Sequence, residues 1–448
     1  MSEGLIGGHR APPGAEPEIA VGLVSDVDQV KLRLLSSFMD ADGARWPAGD
    51  YLARAADEAV ALSGPRTQTA PAFTLRPEDA RAGRFCVEAT IGIDFHWQQQ
   101  EQQTFSGGLR LLGDAGGVAL VNDVALEDYL RSVICSEMSA ASPPALLRAH
   151  AVISRSWLLA QLRGVIAPGA PQPAAGERLR WYDREAHDRF DVCADDHCQR
   201  YQGLTRIASP EVARAVAETH GLTLIRDGEV CDARFSKCCG GLTEDFRVAW
   251  QDHEVPYLTS FFDGQGDGPV APPTDDGGFR SFIERPPAAY CNCEDPALLS
   301  TILPSYDQST ADFFRWRVRL DADQATALLR DKGDIDLGRL IAMEPVERGR
   351  SGRLVRLRLR GERGELVVGK ELEIRRLLSP SHLYSSAFLI ETEGPAARPD
   401  AFLLRGAGWG HGVGLCQIGA AVMADQGQEY QAILDHYYPG AALERWYT

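Results

Sequence analysis

The residues best suited to chemistry fall in three groups: Glu137, the trio His187, Cys193 and Cys198, and the glycine-rich block 406–420. Leu126, Leu130, Val133 and Ile134 recur at helical spacing, and one further step along that stripe reaches Glu137. A carboxyl on the buried face, at the negative end of the helix dipole, resists ionisation and can stay a proton donor near neutral pH. The competing reading is a solvated Glu at a frayed helix end, or one paired with an arginine. Asn122 or Asp123 is the expected N-cap, with Glu127 and Asp128 in the first turn.

The spacing His187-x5-Cys193-x4-Cys198 offers one imidazole and two thiolates within a short loop. That set suits a tetrahedral zinc ion with a fourth position left over. A Cys193–Cys198 disulfide beside a surface imidazole is the alternative. If Cys198 is a ligand, His197 points elsewhere and is a candidate hydrogen-bonding contact to substrate; a solvated side chain is the bland option. The block GAGWGHGVGLCQIGA places glycines at 406, 408, 410, 412, 414 and 419, which allow close backbone packing and unusual dihedrals. Trp409 supplies a flat apolar face of the kind sugars stack on, and His411 and Gln417 supply polar edges. A tight corner leading into a helix is the structural alternative, and both can hold. Among the ten cysteines, Cys238, Cys239, Cys291 and Cys293 form a quartet CC…CxC. A disulfide from the vicinal pair to the CNC segment is expected ahead of a second metal site, because adjacent cysteines rarely bridge each other.

Several of these stretches together resemble the SpoIID and amidase-enhancer LytB family. They are LEDYLRSVICSEM followed by LLRAHAVISRSW, CQRYQG (198–203), FSKCCGGLTED (235–245) and the run from Gly406 to Gly440. The family pattern is roughly L-E-x-Y-L-x-G-V-V-x-x-E-M, then A-L-K-A-Q-A-V-A-A-R-T-Y. The resemblance implies that Glu137 is the acid/base of a lytic transglycosylase, a carbon–oxygen lyase cutting MurNAc–GlcNAc β-1,4 bonds of peptidoglycan. It also implies a structural zinc on His187, Cys193 and Cys198, and an arginine near the site at Arg155, for which a structural salt bridge is the alternative. Tyr201 and Ser236 become candidates for lining the substrate cleft, although Cys238-Cys239 stand before Gly240-Gly241 where the family often has a small residue. Implied partners are peptidoglycan glycan strands and a cell-wall amidase, and the implied location is the cell envelope. Two rival functions stay open: a non-catalytic glycan-binding activator of an amidase, and a zinc-dependent hydrolase.

The elements that must position these residues read as an α+β fold, with β-rich lobes flanking a helical catalytic segment and a cleft between them. The divisions are a disordered segment 1–17, a β-rich region 18–120, a catalytic core with the metal loop 121–262, a loop-rich region 263–345, and 346–448 with a hairpin, the glycine block and closing helices. Strands are expected at IAVGLV and VKLRLLSSF, and hairpins turning at Asp227-Gly228 and at Gly361–Gly364. Helices are expected from Pro210 to His220, and behind a Ser142-Pro143 cap. The Gln-rich stretch near 98–103 reads as a loop or the polar face of a strand pair; residues 45–82 give no clear element. The net charge of −17, from 46 basic and 63 acidic residues, argues against nucleic acid. No apolar run is long enough for a membrane span. The first residues lack the charged and apolar regions of a secretory signal, which leaves the export route open.

Overall fold

The computed structural model describes residues 14–91, 99–114, 116–165, 173–182, 187, 189–195, 198–206, 209–269, 271–303 and 312–448. The chain forms two compact units. The first takes residues up to Arg155, then Arg184–Thr223 and Glu444–Thr448; the second takes Ser156–Asp183 and Leu224–Leu443. Helices and strands mix throughout, so the expected α+β class holds.

The first unit opens with β1 (Glu18–Val27), β2 (Gln29–Leu34), β3 (Phe38–Asp40) and β4 (Arg45–Trp46). The chain continues through β5 (Gly49–Ala56), β6 (Ala59–Ser63), β7 (Gln68–Ala70) and β8 (Ala72–Pro77). It then forms β9 (Arg84–Ile91), β10 (Gln99–Ser106), β11 (Gly108–Asp114) and β12 (Gly117–Ala125). One sheet runs, from edge to edge, through the short strand Val192–Cys193, β1, β12, β11, β8, β3 and β4. The other runs β10, β9, β2, β5, β6, β7. Strict in–out alternation in β2 (Val30, Leu32 and Leu34 buried) gives one face to the core. Phe38 from the first sheet meets Phe85 from the second edge-on at 6.4 Å. β12 is buried along all but its last residue because it is central in its sheet and feeds straight into the first helix.

That helix, α1, spans Leu126–Glu137. Its cap is Ala125 rather than Asn122 or Asp123, which are spent inside β12. The Asn122 amide donates to the carbonyls of Ser106 and Gly108, so it serves the sheet and not the helix end. The free Glu127 N–H is instead taken by the Glu16 carboxylate at 2.8 Å. Glu16 belongs to the expected disordered segment, yet Pro17 accepts from Leu126 N–H and Gly14 from Thr448 N–H. Residues 14–17 are therefore tied down, while residues 1–13 lie outside the described ones. The second helix, α2, spans Pro144–Arg163, one residue later than a Ser142 cap would give, and the buried Ser142 hydroxyl makes no cap bond. A third, α3 (Pro210–Glu218), is capped by Ser209 and ends two residues short of expectation.

The second unit is built on a sheet of Glu177–Leu179, Gly364–Gly369, Leu354–Gly361 and Leu340–Arg348, and another of Arg315–Asp321, Ala401–Ala407 and Phe388–Glu393. Their apolar faces form one core with Leu329, Ile374 and Leu377. Both expected hairpins form; Asp227 and Gly228 each have positive φ, as the tight turn between Arg226 and Glu229 demands. Among its described residues, the region expected to be loop-rich carries three helices, Asp276–Glu284, Pro296–Ile302 and Ala322–Gly333, the first burying Phe279, Phe282 and Ile283. Among the described residues no helix is long and apolar enough to cross a membrane.

Candidate functional site

Glu137 closes α1 and is partly exposed, so the full burial expected of it does not occur. The stripe before it is buried as expected and includes Tyr129 as well. The Glu137 carboxylate accepts the backbone N–H of Arg200 at 3.0 Å. Arg200 belongs to the segment Cys198–Gln202, which is laid along α1 by successive bonds. The Tyr129 hydroxyl donates to Gln199, and Gln202 N–H donates to Ser132 Oγ. Tyr201 N–H donates to the Ala194 carbonyl, and its hydroxyl donates to Asn122 at 2.7 Å. Tyr201 is itself buried between Phe105 and Tyr129, so its position is that of a spacer rather than an open substrate contact. Burial pushes the Tyr129 phenol well up.

The metal trio stands at the start of this segment. The ligand atoms of His187, Cys193 and Cys198 lie within 4.8 Å of one another, each residue half-buried. His187 Nε2 is 3.5 Å from Cys198 Sγ. Zinc bonds of roughly 2.0 Å to nitrogen and 2.3 Å to sulfur give a tetrahedral edge of about 3.6 Å, so the spacing fits. Cys193 is fixed by the parallel pairing of Val192–Cys193 with β1 at Val21 and Gly22. Phe190 presses on Gly22, where a Cβ would come within 2.5 Å of its ring. His197 lies outside the described residues. A pocket of about 520 Å³ opens beside the trio, lined by Gly22 and Lys31 from β1 and β2, by Glu88 and Gln103, and by Cys193 and Arg200. Arg200 thus borders the pocket while its N–H holds Glu137.

Arg155 does not face any opening. It is wholly buried and forks onto Glu127, Nε to one oxygen at 2.9 Å and Nη2 to the other at 2.7 Å. Its remaining donors reach the carbonyls of Ala151 and Leu222. Glu127 also accepts from Gly221 N–H and from the Tyr447 hydroxyl. Burial alone would raise the Glu127 carboxyl, but the Arg155 fork, Tyr447 and Gly221 outweigh it and hold the group below its ordinary value. Asp128, the next acid on α1, pairs with Arg131 at 2.9 Å.

Ser236, Trp409, His411 and Gln417 belong to the second unit. Gly408, Gly410, Gly412 and Gly414 alternate with them at φ of +75°, +88°, +75° and +70°. At Gly412 the reason is Arg353, which is fully buried, donates to the Gly410 carbonyl and lies where a Cβ on Gly412 would fall; at Gly408 and Gly414 a Cβ would meet the carbonyls of Cys238 and Arg234. The glycines let backbone close over a buried cation, a demand that sequence spacing hinted at without naming the partner. Ser236 Oγ accepts from Gly412 N–H and is buried, so its role is to hold the block. The Trp409 ring is stacked on Phe313 at 4.9 Å and meets Tyr384 at 4.6 Å, so the face offered for a sugar is already in contact. His411 accepts from Val413 N–H and packs against Trp250; although part of its surface is open, desolvation followed by Arg234 and Arg353 drives its imidazole well down. Gln417 is buried in the first turn of the helix Gln417–Asp425.

The cysteine quartet does not assemble as expected. Cys239 and Cys291 approach to 3.4 Å, but Cys416 and Asp263 complete the group and partly exposed Cys293 stays outside it; all ten cysteines are free thiols.

Residues 114–225, which contain α1, the metal trio and the fork of Arg155, match the model of the Stage II sporulation protein family, SpoIID. That match falls on motifs that carried the resemblance. Residues 244–414, within the second unit, match a domain of unknown function, DUF8618. The chain is similar to Stage II sporulation protein D of Bacillus amyloliquefaciens, 24% identical over 72% of this chain and 75% of that protein. It is 23% identical to the Bacillus subtilis protein of the same name, again over 72% of this chain and 75% of the relative. A short stretch, 9% of this chain and 6% of the relative, is 45% identical to the amidase enhancer of Bacillus subtilis.

Proposed function

We propose that the chain is a peptidoglycan lytic transglycosylase of the cell envelope, with Glu137 as its general acid and base. The observation that carries the reading is the state of the acids on α1. Glu127 is consumed by Arg155 and Asp128 by Arg131, while Glu137 is partly exposed and held at one oxygen by Arg200 N–H. A glycosidase that relies on two protein carboxylates needs a second one roughly 5–9.5 Å away. One suffices when the nucleophile belongs to the substrate. Glu137 donates its proton to the glycosidic oxygen as the bond to C1 of MurNAc breaks. As carboxylate it then takes the proton of the C6 hydroxyl, whose oxygen closes on C1 to leave a 1,6-anhydro end.

Zinc on His187, Cys193 and Cys198 would serve as a brace. Cys198 begins the segment whose Arg200 N–H orients the acid, so fixing that residue fixes the hydrogen bond to Glu137. Glycan strands are the proposed partner. The likeness of one short stretch to an amidase enhancer supports a second reading, in which the chain binds glycan and stimulates a separate cell-wall amidase without cutting.

The test is digestion of peptide-free glycan strands followed by mass spectrometry. Anhydro ends, lighter by one water than hydrolysis products, are expected. Reducing ends would replace the lyase with a zinc hydrolase, and intact strands that nonetheless bind the protein would favour the activator.

A further inference from the structure

The second unit contains a group of side chains that the proposed reaction does not use. Cys239, Asp263, Cys291 and Cys416 are all buried, and their ligand atoms lie within 4.8 Å of one another. They come from four separate stretches of chain, so no short sequence motif announces them. Cys239 Sγ is 3.4 Å from Cys291 Sγ and 3.1 Å from Asp263 Oδ2. For a single tetrahedral zinc, thiolate–thiolate and thiolate–carboxylate edges are about 3.8 and 3.6 Å, so small relaxations of these side chains suffice. A cluster of several irons, whose cysteines sit on different metal atoms, needs its sulfurs further apart.

The surroundings are prepared on both sides of such an ion. Backbone N–H groups point at the sulfurs: Cys239 and Gly419 donate to Cys416 Sγ, and Gly241 donates to Cys239 Sγ. Cys416 is also the N-cap of the helix Gln417–Asp425, where the helix dipole favours a thiolate. Asp263 turns one oxygen to Cys239 while the other accepts from the Tyr437 hydroxyl at 2.8 Å and lies 3.1 Å from His436 Nε2. Outer partners of this kind orient a ligating carboxylate. Gly419 has no room for a side chain, since a Cβ there would sit 2.5 Å from Asp263 Oδ2. A disulfide between Cys239 and Cys291 would use two of the four groups and leave Cys416 Sγ and the Asp263 oxygen that faces Cys239 without a shared partner. A divalent cation satisfies all four.

We infer that Cys239, Asp263, Cys291 and Cys416 form a second, structural metal site that takes zinc, pinning the end of the glycine block to the segments around Cys239, Asp263 and Cys291. Cys238, a further thiol beside Cys291 and Cys416, is not part of the set.

The experiment is metal analysis of the full chain purified without chelator, beside three variants. In Cys193→Ser, which disables the first trio, one zinc per chain should remain. In Cys291→Ser that zinc should be lost, whereas Cys293→Ser should keep it. Cobalt loaded into Cys193→Ser should show the visible bands of a tetrahedral ion and strong sulfur charge transfer. Because removing a buried thiol can unfold the unit, the unaltered chain supplies a separate arm. Denatured and stripped of metal, it should yield ten reactive thiols and no bridged peptides. A bridge joining any two of Cys239, Cys291 and Cys416, an unaltered chain free of metal, or a folded Cys291→Ser protein with unchanged zinc would each overturn the assignment.

Discussion

Arg155→Met separates a structural role for this arginine from a catalytic one. The substitution keeps most of the side-chain volume but strips Glu127 of both fork bonds, leaving its carboxylate with Gly221 N–H and the Tyr447 hydroxyl. It also frees the Leu222 carbonyl. Removing one partner of a buried ion pair costs about 3–5 kcal/mol, against a typical total stability of about 5–15 kcal/mol. At roughly 2–4 °C per kcal/mol for a domain near this size, the first unit should melt on the order of 10 °C lower. Glu127→Gln should lose a similar amount, since it strands the guanidinium instead. The double variant Glu127→Met with Arg155→Met removes both charges and should regain much of the loss. The pair also predicts a pH response. The folded carboxyl lies below its unfolded value, so its stabilisation is present above the unfolded pKa and is lost as pH falls through the folded one. Acid should therefore destabilise the wild type more steeply than the double variant. Thermal melts across the acid range, with strand cleavage measured on each protein at a temperature where all are folded, make the assay. An Arg155→Met protein as stable as wild type but inactive would show that the arginine acts on substrate, and the reasoning from burial would fail.

Three further outcomes follow from the same geometry. Glu137→Gln should lower strand cleavage by about a hundred- to ten-thousandfold while leaving the melting temperature and zinc content unchanged; wild-type turnover would refute the mechanism. Cys193→Ser should lose the zinc of the first trio, and its cleavage should fall in step with the loss of structure around Arg200. If metal loss left structure intact and still abolished turnover, zinc would have to be the catalyst. Gly412→Ala places a Cβ against Arg353 at a φ of +75°; the conformational cost alone is about 1–2 kcal/mol, so the second unit should melt lower, a loss no larger than that would mean that Arg353 moves aside, and wild-type melting would refute the strain itself.

Local patterns were legible wherever one chain segment carried the whole signal. The α1 stripe, the Asp227-Gly228 turn, the hairpin at Gly361–Gly364 and the His–Cys–Cys spacing each sit within about twenty residues, and the buried stripe up to Ile134 and the two turns appear in the structure as read. What stayed hidden depended on partners far along the chain. Residues 45–82 form five strands, but Ala53, Ala55 and Arg54 blur the alternation that burial later reveals in β5. Asn122 resembled a cap because its chemistry suits one; only pairing with β11 shows that the sheet needs it first. The sequence allows a structural salt bridge at Arg155, and one forms, but spacing does not name Glu127 as the partner, because its place in the first turn already suits the helix dipole. The cysteine quartet failed for the same reason: the chain supplies Cys416 and Asp263 from outside the CC…CxC pattern, and spacing cannot see them.

The chain path imposes an order of assembly. Glu127 and Tyr447, bonded to each other, are 320 residues apart, and nearly all of the second unit is threaded between them. Closing a flexible loop of that length costs about 5 kcal/mol in chain entropy before any contact is gained. That penalty shrinks if the intervening chain has already folded, because it leaves and rejoins the first unit at adjacent points: Trp446 N–H bonds to the Gly221 carbonyl, and Thr223 to that of Glu444. The hydrogen bond from Tyr447 to Glu127 therefore forms only after the inserted residues have been made. The Glu127–Arg155 fork and the Arg200 N–H bond to Glu137 use no residue beyond 200, so the proposed acid is positioned by the earlier part of its unit and Tyr447 adds a late clasp beneath it.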